Sequence, residues 1–570
     1  MSGAYKNNFG DLDYSATVGG EWFSDQGRVA TAVNTVDGLV SPGQYFIANS
    51  RSLRGNSGSD QGYKRISSVY FLLNASWKRQ FYLDITGRND WSSALVYTNA
   101  TGNYSYFYPS VGSSWIFSET FDMPSWLVFG KLKLSWAQVG NDTSPYSINQ
   151  TYGAASTEMP DASLVQRQTF GRTVVDPRLK PERKNAFEAG TDLMFADNRI
   201  GLEFTYYKEN TRDQIISIAT PLESGINSQR INAGNVQNQG VEIALRSTPV
   251  RGTFQWDMDV LYAKNVNKIV ELHPDVGDYM QLVDASGDFR IRSVAYVGGE
   301  YGTLLSDVKP KVDPVTGKQL LMWEEGRKMA YPIRSNTLEK VGKIEPDFTG
   351  SITNTFSWKG ISASVLLDVR WGGYIASYTN LYGFGYGMTK NSLRNRDTEH
   401  GGITFKSINE EKYLDGHDGV FHDGFIPDGV FQPGTLIKDV NGGPDIDVSE
   451  MTYQQAVDAG IVDPAHAPTW NSRTYEWATF TLNDDWFSEV KYIGVRQISL
   501  GYNIPRNITR KLGVSNLRVA IEAQNVGYLY NSLPNKLNPQ SFGGNANNTF
   551  MERLLTPYVG SYNFSLRFDL

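Results

Sequence analysis

The chain has 570 residues, which is more than a single compact core needs. It carries 53 Lys and Arg against 60 Asp and Glu, and this net charge of −7, without any basic stripe, argues against a nucleic-acid partner. The absence of cysteine excludes a disulfide framework, a thiolate nucleophile and a Cys-ligated metal. No stretch reaches 18 consecutive apolar residues, so the sequence predicts no transmembrane helix.

Composition is even along the chain, and no Pro/Ser-rich or charge-block linker marks a domain boundary. Glycines, Asn-rich turns and aromatic residues recur throughout, which favours one repetitive β architecture. The first thirty residues contain no apolar stretch of the kind that a signal peptide requires. We therefore expect a chain that is mature, truncated or one piece of a larger product.

Alternation with a period of two residues is the dominant pattern, and it predicts β-strands. Its clearest examples lie at 361–371, 517–524 and 562–570. The positions predicted on the apolar, lipid-facing side are Ile361, Val365, Val369, Leu517, Val519, Ile521, Phe564 and Phe568. We expect Asp368 and Arg370 on the opposite, polar face, because charge at mid-membrane is costly.

Fourteen strands are predicted, the first beginning near residue 10. They span roughly 10–23, 64–76, 80–90, 105–118, 129–140, 183–196, 199–214, 236–248, 253–268, 347–358, 361–373, 489–503, 515–528 and 559–570. The links between them alternate between short turns and long loops, the longest being 269–346 and 374–488. This organisation predicts an all-β fold, a transmembrane antiparallel β-barrel with short periplasmic turns and long extracellular loops.

Several ordered motifs resemble the SusC/RagA family of TonB-dependent transporters. They are GRNDWSSAL (87–95), YFYPSVGSSWIFSE (106–119), KLKLSWAQVGND (131–142), LKPERKNAFEAGTDLMF (179–195), NRIGLEFTYYKENTRDQII (198–216), NAGNVQNQGVEIAL (232–245), EPDFTGSITNTFSWKGISASVLLDVRWGG (345–373), VRQISLGYNIP (495–505) and YNFSLRFDL (562–570). The resemblance covers essentially the whole chain. It implies a multi-pass β-barrel in the outer membrane, surrounded by lipid and wide enough for about 22 strands.

The resemblance also implies a function and partners. Family members import large nutrients, mostly oligosaccharides and sometimes peptides, together with a SusD-like surface lipoprotein and with energy from TonB. They begin with a plug domain and a TonB-contacting segment, which have no counterpart here. We therefore expect residues 1–570 to be the C-terminal portion of the barrel, with the plug and the N-terminal strands missing or carried by another chain. The long loops are then expected to form the extracellular cap and to meet the lipoprotein.

Two other function classes compete with import. One is a structural or adhesive outer-membrane barrel, whose loops bind partners without transport. The other is an outer-membrane enzyme, for which no G-x-S-x-G, H-E-x-x-H, P-loop or Cys/His metal spacing is present. The sequence therefore predicts that the chain is not an enzyme.

Aromatic residues in the longest loop are the candidates for substrate binding. They are Tyr378, Tyr382, Phe384, Tyr386, Phe421 and Phe425. Flat aromatic faces stack on sugar rings or on peptide side chains. The competing interpretation is that these residues only pack the loop against the barrel.

The segment YLDGHDGVFHDG (413–424) is the one candidate for a metal site. It contains Asp415, Asp418 and Asp423, and Ca²⁺ prefers clustered carboxylates. The spacing matches no EF-hand loop, which favours an Asp/Gly-rich turn instead. We expect no cofactor, with Ca²⁺ in an extracellular loop or in the partner as the alternative.

Overall fold

Antiparallel β-strands dominate the computed structural model of the chain. The structure describes all residues except 27–29, 45–48, 61, 150–151, 159–163, 172, 221, 275, 286–288, 410–417, 468–485, 541–549, 554–558 and 570. The chain forms two units. Unit 1 comprises Met1–Arg246, Asn265–Met280 and Tyr296–Gly298, and unit 2 comprises Ser247–Lys264, Gln281–Ala295 and Gly299–Leu570.

Long paired strands build unit 1. Its strands are β1 (Ser2–Phe9), β2 (Leu12–Gln26), β3 (Ala30–Leu39), β4 (Ser50–Asp60), β5 (Tyr63–Trp77), β6 (Phe81–Ser92), β7 (Ser105–Trp115), β8 (Leu127–Asn141), β9 (Tyr152–Glu158), β10 (Leu164–Phe170), β11 (Thr173–Val175), β12 (Glu182–Phe195) and β13 (Ile200–Ala219). Three strands have residues in both units, namely β14 (Ser228–Val250), β15 (Phe254–Glu271) and β16 (Met280–Ala285).

The sheet of unit 1 is antiparallel and follows the order β1-β2-β5-β6-β7-β8-β12-β13. Its two faces differ in polarity, as the alternation predicts. In β5, Val69 and Phe71 are exposed, whereas Ser68 on the other face is buried. At the short-turn end, the rings of Phe81 and Trp115 stack with their centroids 5.6 Å apart. Such aromatic bands are typical of barrel strands where they meet a membrane interface.

The prediction that the first strand begins near residue 10 is wrong. Residues Ser2–Phe9 already form β1, and the predicted segment 10–23 corresponds to β2. Gly10 makes the connecting turn with a φ of +61°, a conformation that favours glycine. The sequence SGAYKNNF hid this strand because Tyr5 and Phe9 are its only large apolar residues.

Motifs that carry the family resemblance meet in space within unit 1. Leu95 from the first motif packs with Ile148 and Leu179, and all three are buried. The Asn232 side chain accepts a hydrogen bond from the Lys180 amide at 2.8 Å and donates to the Lys180 carbonyl at 2.8 Å. It also donates to a second carbonyl, that of Asp213, at 2.7 Å. We call this arrangement of Asn232 and its partners the motif clamp.

Replacement of Asn232 with alanine should loosen the motif clamp. The substitution leaves three backbone groups without their partner, and roughly 1–3 kcal/mol of stability should be lost. Urea unfolding of the variant measures this loss, and hydrogen exchange locates it at residues 173–181. The exposed Asn8 offers a matched control, so Asn8→Ala should leave both unchanged. Equal stability of the two variants would contradict the clamp.

Unit 2 combines long strands with several small sheets. Its remaining strands are β17 (Ile291–Ala295), β18 (Thr303–Ser306), β19 (Gln319–Glu324), β20 (Met329–Pro332), β21 (Glu339–Lys343), β22 (Phe348–Trp358), β23 (Ile361–Ser377), β24 (Ile403–Lys406), β25 (Val420–Phe425), β26 (Gly429–Phe431), β27 (Leu436–Ile437), β28 (Ile446–Asp447), β29 (Ala465–His466), β30 (Phe487–Asn503), β31 (Asn516–Asn531), β32 (Met551–Glu552) and β33 (Ser561–Asp569). Its helices are α1 (Tyr378–Gly385), α2 (Tyr453–Asp458) and α3 (Arg506–Thr509). No helix among the described residues is long and apolar enough to cross a membrane.

The predicted register is confirmed in the sheet β15-β22-β23-β30-β31-β33. The face that carries the predicted apolar residues continues across strands, since Ile521 pairs with Leu500 and with Phe564. Asp368 and Arg370 lie on the other face. There a carboxylate oxygen of Asp368 lies 2.8 Å from Nε of Arg496.

Both regions predicted as long loops contain small sheets that the sequence did not predict. They include β17-β18-β21, β20-β19-β26 and β24-β25-β29. The strands have two to six residues each, too few for alternation to show. Buried clusters hold these sheets together, as where Phe431 and Tyr453 stack at 5.7 Å.

Candidate functional site

A double glycine directs the end of β23 toward the candidate aromatic residues. Gly372 and Gly373 have φ values of +91° and +83°, and the pairing with β30 shifts register there. A Cβ on Gly373 would lie 2.5 Å from the carbonyl oxygen of Ile344. Only glycine fits this bulge without strain, because L-residues rarely adopt such φ values.

Helix α1 begins directly after β23 with a firmly held first turn. The Ser377 hydroxyl accepts a hydrogen bond from the amide of Asn380 at 3.1 Å, which is the usual role of an N-cap. The carboxylate of Glu552 accepts from the Ser377 hydroxyl at 2.6 Å and from the Thr379 hydroxyl and amide at 2.8 and 3.1 Å. Glu552 is only 1% exposed. A carboxylate at this end of a helix is also favoured by the helix dipole.

Three tyrosines of the predicted set form a stack along α1. Tyr378 and Tyr382 are parallel within 9° at a centroid distance of 5.2 Å. Tyr382 and Tyr386 follow at 6.1 Å and 21°. The spacing of four residues places the side chains above one another on one helix face. We call Tyr378, Tyr382 and Tyr386 the tyrosine ladder.

Buried aromatic residues support the inner end of the ladder. Tyr378 contacts Phe289 edge-on at 4.5 Å, and Phe289 stacks on Trp486 at 5.9 Å. The guanidinium of Arg553 lies 5.7 Å from the ring of Tyr378. At the outer end, Tyr386 is 50% exposed. The ladder therefore runs from a buried aromatic cluster to solvent, which suits an aromatic binding platform.

Two other predicted substrate-binding residues are buried. Phe384 and Phe425 are each only 7% exposed. Phe384 is on α1 but is buried, while Phe425 packs in a core cluster with Met329 and Tyr331. Both rings therefore pack against other side chains, and their contact with substrate stays a prediction.

Phe421 belongs to a separate aromatic group. It stacks on Phe405 at 5.5 Å and meets His466 edge-on at 4.4 Å. The His466 ring nitrogen Nδ1 lies 3.2 Å from a carboxylate oxygen of Asp423. Phe421 is half-buried, so part of its ring remains accessible.

The predicted acidic residues do not form a metal site in the part of the chain that the structure describes. Asp423 is 9% exposed and pairs with His466, and Asp418 accepts a hydrogen bond from the amide of Val420 at 3.0 Å. Asp415 lies outside the described residues. Among the described residues, no group of three or more His, Asp or Glu side chains is placed to hold a metal ion.

The comparison with known families identifies the chain. The family model described as "TonB dependent receptor-like, beta-barrel" matches residues 2–392, more than half of the sequence. The chain belongs to this family of TonB-dependent receptors. Receptors of this family are located in the outer membrane. The all-β fold, with its apolar strand faces, is consistent with this location.

Curated proteins similar in sequence to this chain are also TonB-dependent receptors. The TonB-dependent receptor P26 of Formosa agariphila is 29% identical over 276 residues, which cover 47% of this chain and 27% of that receptor. The TonB-dependent receptor SusC of Bacteroides thetaiotaomicron is 26% identical over 217 residues, which cover 36% of this chain and 21% of SusC. The matches thus span less than half the length of these relatives. By sequence, the chain is a SusC-like TonB-dependent receptor chain.

Solved structures agree on the fold. The structure of the RagAB peptide transporter superposes with a TM-score of 0.62 at 17% identity. The superposition covers 93% of this chain and 51% of the solved one. At such identity the likeness shows the fold alone.

In this TonB-dependent receptor chain, sequence reasoning missed the residues that support the ladder. Glu552 and Arg553 are distant in sequence from α1 and belong to no recognisable motif. They reach it because β32 pairs in parallel with the end of β23, placing Glu552 opposite Ser377. Phe289 was missed as well, because it lies in a region that was predicted to be a loop.

An ion pair joins the ends of the two strands that follow Phe289 in the chain. Arg290 directly precedes β17 and Asp307 directly follows β18, and the two side chains form paired hydrogen bonds of 3.0 and 2.6 Å. Burial alone would raise the pKa of Asp307, but the hydrogen bonds and charge of Arg290 outweigh it. The net result is a pKa below the ordinary value.

The pH dependence of this pair can be tested with Asp307→Asn. Because the folded-state pKa of Asp307 is lowered, its stabilisation is complete above the unfolded pKa of about 3.9 and is lost as the pH falls through the folded value. We expect wild type to exceed the variant by about 1 kcal/mol in urea unfolding, constantly from about pH 5 to 8. The difference should vanish under strong acid. A difference that grows on acidification would contradict this sign.

Proposed function

We propose that the chain is part of an outer-membrane, TonB-dependent importer of large nutrients. The imported class is oligosaccharides, and a SusD-like surface lipoprotein is the partner that delivers them to the long loops. The strands cross the membrane as a multi-pass barrel, and the chain is not an enzyme. The tyrosine ladder is the observation that carries the substrate class.

The ladder suits sugars because tyrosine combines a flat apolar ring with a hydroxyl. Sugar rings stack on such faces through their C–H bonds, and the phenol hydrogen-bonds to sugar hydroxyls. Tyr386 is half-exposed at the outer end, and Tyr382 is its neighbour at 6.1 Å. A sugar ring can stack on the exposed ring of Tyr386, which the rest of the ladder holds in place.

A peptide is the second candidate cargo. It is favoured by the likeness in fold to a structure described as a peptide transporter, at 17% identity. Peptide side chains stack on tyrosine as well, so the binding test includes both ligand classes. A structural or adhesive barrel would bind a ligand at its loops but would not import it.

Binding and uptake by ladder variants test the proposal. The double substitution Tyr382→Ala/Tyr386→Ala should weaken oligosaccharide binding about tenfold, since each stacked ring contributes roughly 0.5–1.5 kcal/mol. Tyr382→Phe/Tyr386→Phe keeps the rings and should lose less. Isothermal titration with panels of neutral oligosaccharides and of peptides gives the affinities.

The exposed Tyr104 in unit 1 provides the matched control, and Tyr104→Ala should bind normally. TonB-dependent uptake of the bound sugar, recovered intact, would support an importer without enzymatic activity. Binding of peptides alone would overturn the substrate class. Binding without uptake would favour the adhesive barrel, and cleavage of the ligand would favour an enzyme.

A further inference from the structure

The short-turn end of unit 2 carries a concentrated positive charge. Three neighbouring connections lie there, at 251–253, 359–360 and 504–515. Their cations are Arg251, Lys359, Arg506, Arg510 and Lys511, which we call the basic turn surface. The same three connections contain no Asp or Glu, although the whole chain has a net charge of −7.

These cations are available to a ligand. All five side chains are exposed, and none forms an ion pair with another of the described residues. In the adjoining strand β33, Asp569 accepts a hydrogen bond from the side chain of Asn516 at 2.7 Å. The positive charge is therefore not neutralised within the described part of unit 2.

A row of aromatic rings lies directly beside this charge. Phe254, Trp358 and Tyr502 are exposed on the apolar face of the sheet, and register pairs Phe254 with Trp358. The ammonium of Lys359 lies 5.3 Å from the ring centroid of Trp358. Aromatic rings of this kind settle at the level of lipid headgroups, where one end is apolar and the other is wet.

We propose that the basic turn surface binds the headgroups of anionic phospholipids in the leaflet on the short-turn side. The aromatic row sets the depth, and the cations then lie at the level of the lipid phosphates. Guanidinium groups match phosphate oxygens with paired hydrogen bonds, and Arg506 and Arg510 are spaced by four residues around one turn. This binding goes beyond import and does not depend on the cargo.

The surface fits a lipid better than an acidic protein segment. Ile508 lies between Arg506 and Arg510 and is 48% exposed, so apolar and basic side chains alternate within one short stretch. Such a mixture partitions into the boundary between headgroups and acyl chains. An acidic protein would gain nothing from the aromatic row, which faces the bilayer.

Lipid selectivity of the protein purified from its outer membrane tests this proposal. It would be reconstituted in phosphatidylcholine bilayers with spin-labelled phosphatidylglycerol or phosphatidylcholine, and the immobilised fraction of each label measured. We expect wild type to favour phosphatidylglycerol about threefold, and this preference should fall toward one at 1 M salt. The variant Arg506→Gln/Arg510→Gln/Lys511→Gln should lose most of it.

A control variant removes equal charge elsewhere. Lys390, Lys406 and Lys438 are exposed residues of the loop regions, and Lys390→Gln/Lys406→Gln/Lys438→Gln should keep the preference. Unchanged heat-modifiable gel mobility would show that both variants fold. Equal affinity of wild type for the two lipids would overturn the proposal, as would equal loss in both variants. If wild type bound the two lipids equally but captured acidic peptides, the partner would be a protein instead.

Discussion

Replacement of Ile521 with arginine should abolish assembly of the protein in the outer membrane. Ile521 lies on the apolar face of β31 and is 57% exposed, with Leu500 and Phe564 beside it on the neighbouring strands. In a barrel wall this face meets lipid, where an arginine near mid-membrane costs roughly 2–4 kcal/mol. Outer-membrane yield and heat-modifiable gel mobility would measure the loss.

The next residue is its matched control. Glu522 lies on the opposite face of the same strand, where it pairs with Ser499 and Asn563. Glu522→Arg introduces the same side chain at almost the same depth and should assemble normally. If both variants assembled equally well, the apolar face would not meet lipid. If Glu522→Arg failed to assemble while Ile521→Arg assembled normally, the opposite face would be the one that meets lipid.

Long strands were predictable because their pattern repeats many times. In β23 the alternation of Ile361, Val365 and Val369 with Asp368 and Arg370 fixes both the strand and its faces. Strand β1 was not predicted because Asn and small residues occupy most of its positions. The short strands of the loop regions were not predicted either, because tertiary packing creates them and not a local sequence pattern.

The candidate binding site could be predicted only in part from the sequence. The three tyrosines of the ladder stand four residues apart, and this spacing predicts a common face once a helix is assumed. A helix was not assumed, because YTNLYGFG contains two glycines and follows a strand without a break. The contacts that start this helix come from Glu552, whose position no local pattern could supply.

Loss of the Glu552 carboxylate should strongly affect the tyrosine ladder, although Glu552 is not one of its three residues. Glu552→Ala leaves the Ser377 hydroxyl and both donors of Thr379 without their partner in a buried place. We expect a loss of roughly 3 kcal/mol, because bonds to a buried charged group are strong and their orphaned partners cannot reach water. The first turn of α1 should fray, and oligosaccharide affinity should fall as the ladder loses its register.

Hydrogen exchange at residues 377–386 and titration with the oligosaccharide together test this positioning role. Glu552→Gln keeps the shape and one accepting oxygen, so it should show an intermediate loss of protection and of affinity. The exposed Glu399 gives the control, and Glu399→Ala should behave as wild type in both measurements. If Glu552→Ala lost protection at α1 but bound sugar with unchanged affinity, the ladder would not be the place where sugar binds. Because the carboxylate is buried against the helix, this outcome separates a purely structural role from the positioning of a binding surface.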